Sequence, residues 1–250
     1  MGSSTLPPYR ESEESWNTTT AEIAAAKNAA IIMSFPLAAF VGKKVDAIRN
    51  APTPPCPQAG DDVVAPFDRT CLAGIHIGGM RPVKVNKDAR AVEITVVMAA
   101  HDNTVPRSLL SEALRKSMDA DNVSLMLGPA TGYIVKFTNG LTVYLSGDTG
   151  LHADMKVLNN EFHKVNLMVL NLGYSAITAQ AGAHAANELV KPASVIVTHV
   201  NEAATVNGKV RPTSHTADFI GLVKGRPVYP ALSGKTMEFD GAGKCIAGCG

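Results

Sequence analysis

The sequence has no run of five like charges, and its 23 Lys and Arg against 22 Asp and Glu leave a formal net charge of +1. Nucleic acids and anionic membranes are met by clustered basic residues, so that electrostatic footprint is missing. Long hydrophobic stretches are missing too. The longest, Ala29 to Val41, is interrupted by Ser34 and Pro36 and bounded by Lys27 and Lys43. A bilayer span needs about 20 apolar residues, which this run does not reach. It also follows the acidic Glu11, Glu13 and Glu14 stretch, too far in for the hydrophobic region of a signal peptide. As written, the chain carries no export or membrane signal and reads as cytoplasmic, with the compartment left open because relatives outside the cytoplasm fit equally. No C-x-x-C spacing, internal repeat or G-x-S-x-G elbow occurs. Those absences remove the common cysteine zinc and redox motifs, and they set aside a metal-free serine esterase.

What is present is an ordinary globular composition. At 250 residues the chain makes one large domain or two small ones and buries a core without staples. Apolar residues make up 46% and charged residues 18%, which excludes disorder of the whole chain. The four cysteines form two local pairs, Cys56/Cys71 and Cys245/Cys249. Disulfides in an oxidising compartment and unpaired cytosolic thiols both fit this spacing.

Residues 1–19 are polar, acidic and aperiodic and read as an irregular leader. A helix opens at Thr19 or Thr20 and runs through Ala21–Lys27, and a buried strand follows at Ala30–Ser34. Four prolines make residues 51–62 a loop, and Gly78-Gly79 marks a turn. From residue 91 the pattern sharpens. Glu93–Ala99 is a β-branched strand. Asn103 and Thr104 signal a helix cap, with Pro106 in the first turn and an apolar stripe at Leu109, Leu110, Ala113, Leu114 and Met118. Tyr133–Thr138 and Leu141–Ser146 are strands joined by Asn139-Gly140, a type I′ hairpin signal. Asn166–Asn171 and Ser194–Thr198 are nearly all-apolar, the pattern of strands buried on both faces. A helix from about Thr178 to Val190 lies between them, stopped by Pro192. A last helix starts near Thr213-Ser214 and turns Ala217, Ile220 and Val223 inward. Strands alternating with helices give an α/β fold.

Most of the seven histidines have ordinary readings. His184 shares a helical polar stripe with Gln180, Asn187, Glu188 and Lys191. His215 is a first-turn polar residue, His163 lies in a polar connection, and His76 is a turn histidine. His152 follows Asp148 by four residues but stands alone in a loop. His101, Asp148 and His199 differ, because each lies just past the carboxyl end of an apolar strand: VVMAA-His101, VYLSG-Asp148 and VIVT-His199. Such ends converge on one sheet edge, where α/β sites gather. Two imidazoles and a carboxylate are the donor chemistry of a hydrolytic zinc or iron site. Gly147 and Gly150 flank the aspartate with permissive backbone. Three unconnected polar loop residues are the plainer alternative.

The run GYIVKFTNGLTVYLSGDTGLHADMKVL (132–158) resembles the second-half signature of the metallo-β-lactamase superfamily. Similar segments are VVMAAHDN before G-P-A-T-G-Y, then NLMVLNLG, NELVKPASVIVTHVNEAAT and LSGKTMEFDGAGKC. Within the superfamily the chain is most similar to metal-dependent hydrolases that include ascorbate-6-phosphate lactonase-like proteins. The resemblance covers about residues 20–245 and is most specific over 93–240. It implies an αββα sandwich in which His101 binds the first of two metals, Asp148 bridges them and His199 binds the second. Zinc, or manganese or iron, is the implied cofactor. The implied reaction is hydrolysis of a small ester, lactone or phosphoester by a metal-bound hydroxide.

The family's principal motif, H-x-H-x-D-H, has no counterpart, because no H-x-H occurs. Relatives carry it just before the helix that here begins TTAEIAAAKNAA. The expectation is an amino-terminally shortened domain over residues 20–250, with an incomplete first sheet and at most one ion held by this chain alone. Asp102 is available as a fourth oxygen ligand, although a solvent-facing side chain is the preferred reading. Exposed sheet edges would be covered by a homodimer or by new pairings of residues 1–50. The competing functional reading is a degenerate or truncated, non-catalytic member that binds a ligand or partner.

Overall fold

The computed structural model describes residues 18–249. The expected leader therefore lies outside the described residues except for its last two positions, Thr18 and Thr19, which are helical. In chain order the elements begin with α1 (Thr18–Lys27), β1 (Ala30–Ser34), α2 (Phe35–Arg49), β2 (Gln58–Ala59) and β3 (Asp62–Val64). Next come β4 (Cys71–Ile75), β5 (Met80–Lys84), β6 (Val92–Met98), α3 (Glu112–Asp121), β7 (Thr131–Lys136) and β8 (Thr142–Leu145). A π-helix (Met155–Phe162) leads to β9 (Leu167–Asn171), then α4 (Ala179–His184) and a second π-helix (Ala185–Val190). The rest is β10 (Ser194–Thr198), β11 (Thr205–Val206), β12 (Lys209–Val210), α5 (His215–Leu222), β13 (Val228–Pro230), β14 (Glu238–Phe239) and β15 (Cys245–Ala247).

The chain divides into two compact units. One holds the described residues up to Pro57 with Pro66–Gly74 and Asp102–Gly128; the other holds Gln58–Ala65, Ile75–His101 and the described residues from Pro129 on. In the first unit, alanine-rich α1 exploits the best helix former and ends at Asn28, whose φ of 51° is left-handed. α2 starts with Pro36 in its first turn and ends at left-handed Asn50, the usual proline-in, asparagine-out asymmetry. It buries Leu37, Ala38, Val41 and Val45 along one face. Gly42 lies on that face as well, and a Cβ there would come 2.7 Å from Leu72 Cδ1. β1 pairs with β4 in a two-stranded sheet. The core is small-residue: Ala21, Ala24, Ala25, Ile31, Leu37, Val41, Val45 and Val105. A disulfide joins the buried Cys56 and Cys71 and resolves that pair as bonded.

The helix expected from Asn103 starts later than its cap signal implied. Pro106 opens only a 3-10 turn, Arg107–Leu109, which Leu110 ends in extended conformation. Ser111 is the true N-cap, its hydroxyl accepting from the Leu114 N–H at 3.3 Å. The later start shifts the stripe out of phase: Met118 is buried, while Leu114 stays 41% exposed.

The second unit is built on a nine-stranded mixed sheet of order β13-β10-β9-β8-β7-β6-β5-β3-β2. β8, β9, β10 and β13 run parallel; β6 is antiparallel to β7, and β7 to β8. β6 therefore runs the same way as β8, β9 and β10, so all four strands end at one edge. The β7–β8 hairpin forms as expected, but not through a type I′ turn. Only Gly140 of the pair has a positive φ (98°), and its N–H bonds Phe137 O at 3.1 Å. That is a turn closed by a left-handed glycine, the three-residue loop with a bulge.

α4 begins under Thr178, whose hydroxyl accepts from the Ala181 N–H, and its π-helical continuation ends at left-handed Lys191 before Pro192. Gln180, His184, Glu188 and Lys191 are exposed as expected. Asn187 is not part of that wet stripe: it bridges Leu222 O and the Lys224 N–H at 3.0 and 2.9 Å. On α5, Ile220 and Val223 lie against the core, but the deeply buried side chain is Phe219, next to Tyr144, Met155, Met168 and Leu170 in one cluster. Cys245 and Cys249 are also bonded, leaving no free cysteine among the described residues. No helix among the described residues is long and apolar enough to cross a membrane.

Candidate functional site

The common strand edge brings the three singled-out residues together. Asp148 Oδ2 lies 3.0 Å from His101 Nε2 and 3.4 Å from His199 Nε2. The side chains are 21%, 28% and 17% exposed respectively, so the cluster is partly sheltered, and Asp148 Oδ2 and His199 Nε2 themselves are buried. The other carboxylate oxygen is held from within the sheet. Asn171, the last residue of β9, donates through Nδ2 to Asp148 Oδ1 at 2.8 Å and to Thr149 O at 3.2 Å. Its own Oδ1 accepts from Ser146 Oγ at 3.1 Å, and its backbone N–H donates to that hydroxyl at 3.0 Å. Asn171 is 2% exposed, so every polar atom of its amide is paired in the interior. The consequence is a fixed carboxylate: one oxygen tied to β9, the other turned to both imidazoles.

Backbone geometry supports this placement. Gly147 has φ 64°, and a Cβ there would come 2.6 Å from Thr131 O, so the bend before Asp148 requires glycine. Gly150 does not use a left-handed conformation; its N–H bonds Ala100 O at 3.0 Å, while the Thr149 hydroxyl accepts from the Ala100 N–H at 2.9 Å. These two bonds tie the His101 loop to the Asp148 loop. His199 has φ 51°, a conformation that costs a non-glycine residue on the order of 1 kcal/mol and recurs at functional sites. Burial alone would raise the Asp148 carboxyl. The His199 hydrogen bond, the charges of His101 and His199 and the Asn171 amide outweigh it and hold the carboxyl below its ordinary range.

Sequence reasoning missed Asn171, although the signal was present: LMVLN ends in a polar residue at the same kind of strand junction as the other three. It also read His215 too blandly. That imidazole is 7% exposed, its ring lies 4.1 Å from the Tyr174 ring, and its Nε2 is buried with no hydrogen-bond partner. Both ring nitrogens of His152 are likewise buried without a partner, and burial holds its pKa below the ordinary histidine value against the opposing charge of Asp154. His163 is half-buried, and His76 and Asp102 are exposed.

Two imidazoles and one carboxylate have the donor chemistry of a zinc or iron site. Their arrangement does not complete one. The imidazole nitrogens face the same carboxylate oxygen, and among the described residues no group of three or more His, Cys, Asp or Glu is placed to hold a metal ion. What the geometry does by itself is hold a carboxylate in one orientation between two proton carriers.

No protein-family model matches the chain. It is similar to a UPF0173 metal-dependent hydrolase of Polynucleobacter asymbioticus, with 32% identity over 152 residues, 59% of this chain and 48% of that protein. A UPF0173 metal-dependent hydrolase of Chloroflexus aurantiacus is 35% identical over 121 residues, 46% of this chain and 44% of that protein. The solved structure of isothiocyanate hydrolase from Delia radicum gut bacteria matches 90% of this chain and 72% of its own, with TM-score 0.51 and 16% identity. The sequence similarity is to metal-dependent hydrolases, and the structural likeness shows a shared mixed α/β fold. The chain spans about half the length of the curated relatives it matches.

Proposed function

We propose that the protein is a metal-dependent hydrolase of a small ester, lactone or phosphoester, in the lactonase-like branch. His101, Asp148 and His199 are this chain's contribution to the centre, with zinc, manganese or iron as the ion. The observation that carries the reading is the meeting of two imidazoles at one carboxylate oxygen, on an edge where four strands end. The names of the curated relatives support the reaction class. Among the described residues no group of three or more His, Cys, Asp or Glu donors is placed to hold an ion.

In this reading Asp148 is the fixed member, and Asn171 orients it. The test is hydrolysis of p-nitrophenyl esters and of lactones by the purified chain, with and without chelator, alongside metal content. Chelator-sensitive turnover is expected. Less than roughly a tenth of an ion per chain, the level of an unoccupied site, with no chelator-sensitive turnover would sink it.

The incomplete donor set favours a second reading, a non-catalytic member that binds a ligand or partner through the same edge. Binding of a small ester without turnover and without bound metal would be its signature. A homodimer that covers β2 or β13, the two end strands of the nine-stranded sheet, belongs to the same proposal. Light scattering of the purified chain reads its mass directly.

A further inference from the structure

A cavity of about 340 Å³ lies beside His199, on the far side of β10 from β9. It is an open hollow lined by β10, the 200–205 segment that follows it, including Ala203, and the 230–233 segment after β13. Its wall is mainly apolar, with Val197, Val200, Ala204, Pro230, Ala231 and Leu232 all contributing. The volume falls at the small end of ligand cavities, about 300–1,000 Å³.

The wall contains one charged side chain besides the edge histidine, Glu202, and its charge is already committed. Glu202 Oε1 accepts from the Thr216 N–H and the Thr216 hydroxyl, both at 2.9 Å, and Oε2 accepts from the His215 N–H at 3.1 Å. The carboxylate therefore caps the first turn of α5, where an anion is stabilised by unpaired N–H groups. Burial would raise its pKa; the bonds from Thr216 and His215 prevail and hold it below the ordinary range. An anion so bound has no spare charge for a cationic ligand, and no Lys or Arg is among the described residues of the wall. A phosphorylated or carboxylated group would enter this cavity without a counter-ion, which is costly in an apolar surround.

We propose that this cavity is the subsite for an uncharged aliphatic group, so that the substrate is a neutral ester or lactone with a short hydrocarbon arm and not a phosphoester. The inference rests on the hydrolase reading for the reaction but not for the binding. The arm lies between β10 and the 230–233 segment, and the carbonyl lies toward His199 and Asp148. Glu202 acts as a positioning residue that pins the 200–205 wall to α5.

The test uses two readouts on the full chain. Ligand-observed NMR with N-butylacetamide, a neutral non-hydrolysable amide, measures occupancy. Turnover is compared for p-nitrophenyl butyrate, p-nitrophenyl acetate and p-nitrophenyl phosphate. The amide is expected to bind, butyrate to exceed acetate at least tenfold in kcat/KM, and inorganic phosphate not to displace the amide. Ala231→Leu and Ala203→Leu, both at exposed positions, should bring the butyrate-to-acetate ratio near one and weaken amide binding at least tenfold. Thermal melts check that either variant is folded. Amide binding that Ala231→Leu weakens, with no turnover of any ester, would leave the subsite standing and remove the hydrolase reading. No amide binding, no loss in either folded variant, or a preference for the phosphate would overturn the subsite.

Discussion

The two compact units solve the problem of a stable interior differently. The unit that carries the His101, Asp148 and His199 cluster buries large side chains, with Tyr144, Met155, Met168, Leu170 and Phe219 all fully enclosed. The other relies on alanines and valines from α1 and α2 and on the Cys56–Cys71 disulfide. Area removed from water sets the hydrophobic contribution, at about 25 cal/mol per Å². A core of small residues supplies less of it per position and gains more from a covalent tie. The difference extends to where left-handed backbone is used: at helix ends in the small-core unit, at Asn28 and Asn50, and in the large-core unit also at Gly147 and His199, beside the cluster itself.

The strongest way to break this comparison is truncation of a large buried ring. Phe219→Ala should destabilise by about 3–5 kcal/mol, read from the urea midpoint. An equal loss from Val45→Ala in the small-residue core would erase the distinction. Reducing the Cys56–Cys71 disulfide, which closes a separation of 15 residues, should cost about 3 kcal/mol. Because Cys245 and Cys249 are also bonded, the Cys71→Ala variant isolates the effect from the second pair. A melting temperature unchanged in that variant would show that the alanine-rich unit does not depend on its tie.

Within the large-core unit, Asn171→Ala strips Asp148 Oδ1 and the Ser146 hydroxyl of a buried partner. A loss of about 1–3 kcal/mol is expected, with a fall in any ester turnover that Asn171→Asp or →Ser does not restore. The smallest expected effect is at Glu202. Its carboxyl is held below its unfolded value near 4.5, so its contribution is fully present above that pH and is lost as pH falls through the lower folded value. Glu202→Gln should cost about 1 kcal/mol at pH 7, and the stability gap between wild type and variant should narrow as pH falls below 4.5. A gap that stays constant from pH 7 to 3 would contradict the cap.

The chain's α/β class and the edge cluster were legible because parallel core strands announce themselves: LMVLN and SVIVT are apolar except at their ends, and a polar residue just after such a strand has few places to go. Asn171 was overlooked because asparagine at a strand end is usually a turn residue, and only the fold reveals that it faces Asp148. α2 escaped notice for a different reason. Its Phe35-Pro36 start read as an interruption of an apolar run, although proline in a first turn and Asn50 at the end are helix boundaries. The late start of α3 turned on Ser111 rather than the more prominent Asn103, a choice between competing caps that tertiary contacts decide. The two disulfides could not be read from spacing, since cysteines 15 and 4 residues apart fit either state.

We propose that His101, Asp148 and His199 act as one metal-dependent centre. Metal content and p-nitrophenyl ester hydrolysis of the purified wild-type chain and of Asp148→Ala, each before and after chelation, test it most directly. Chelator-sensitive turnover is expected in the wild type, with loss of both metal and turnover by at least a hundredfold in the folded variant. Turnover that survives both the chelator and Asp148→Ala would contradict it.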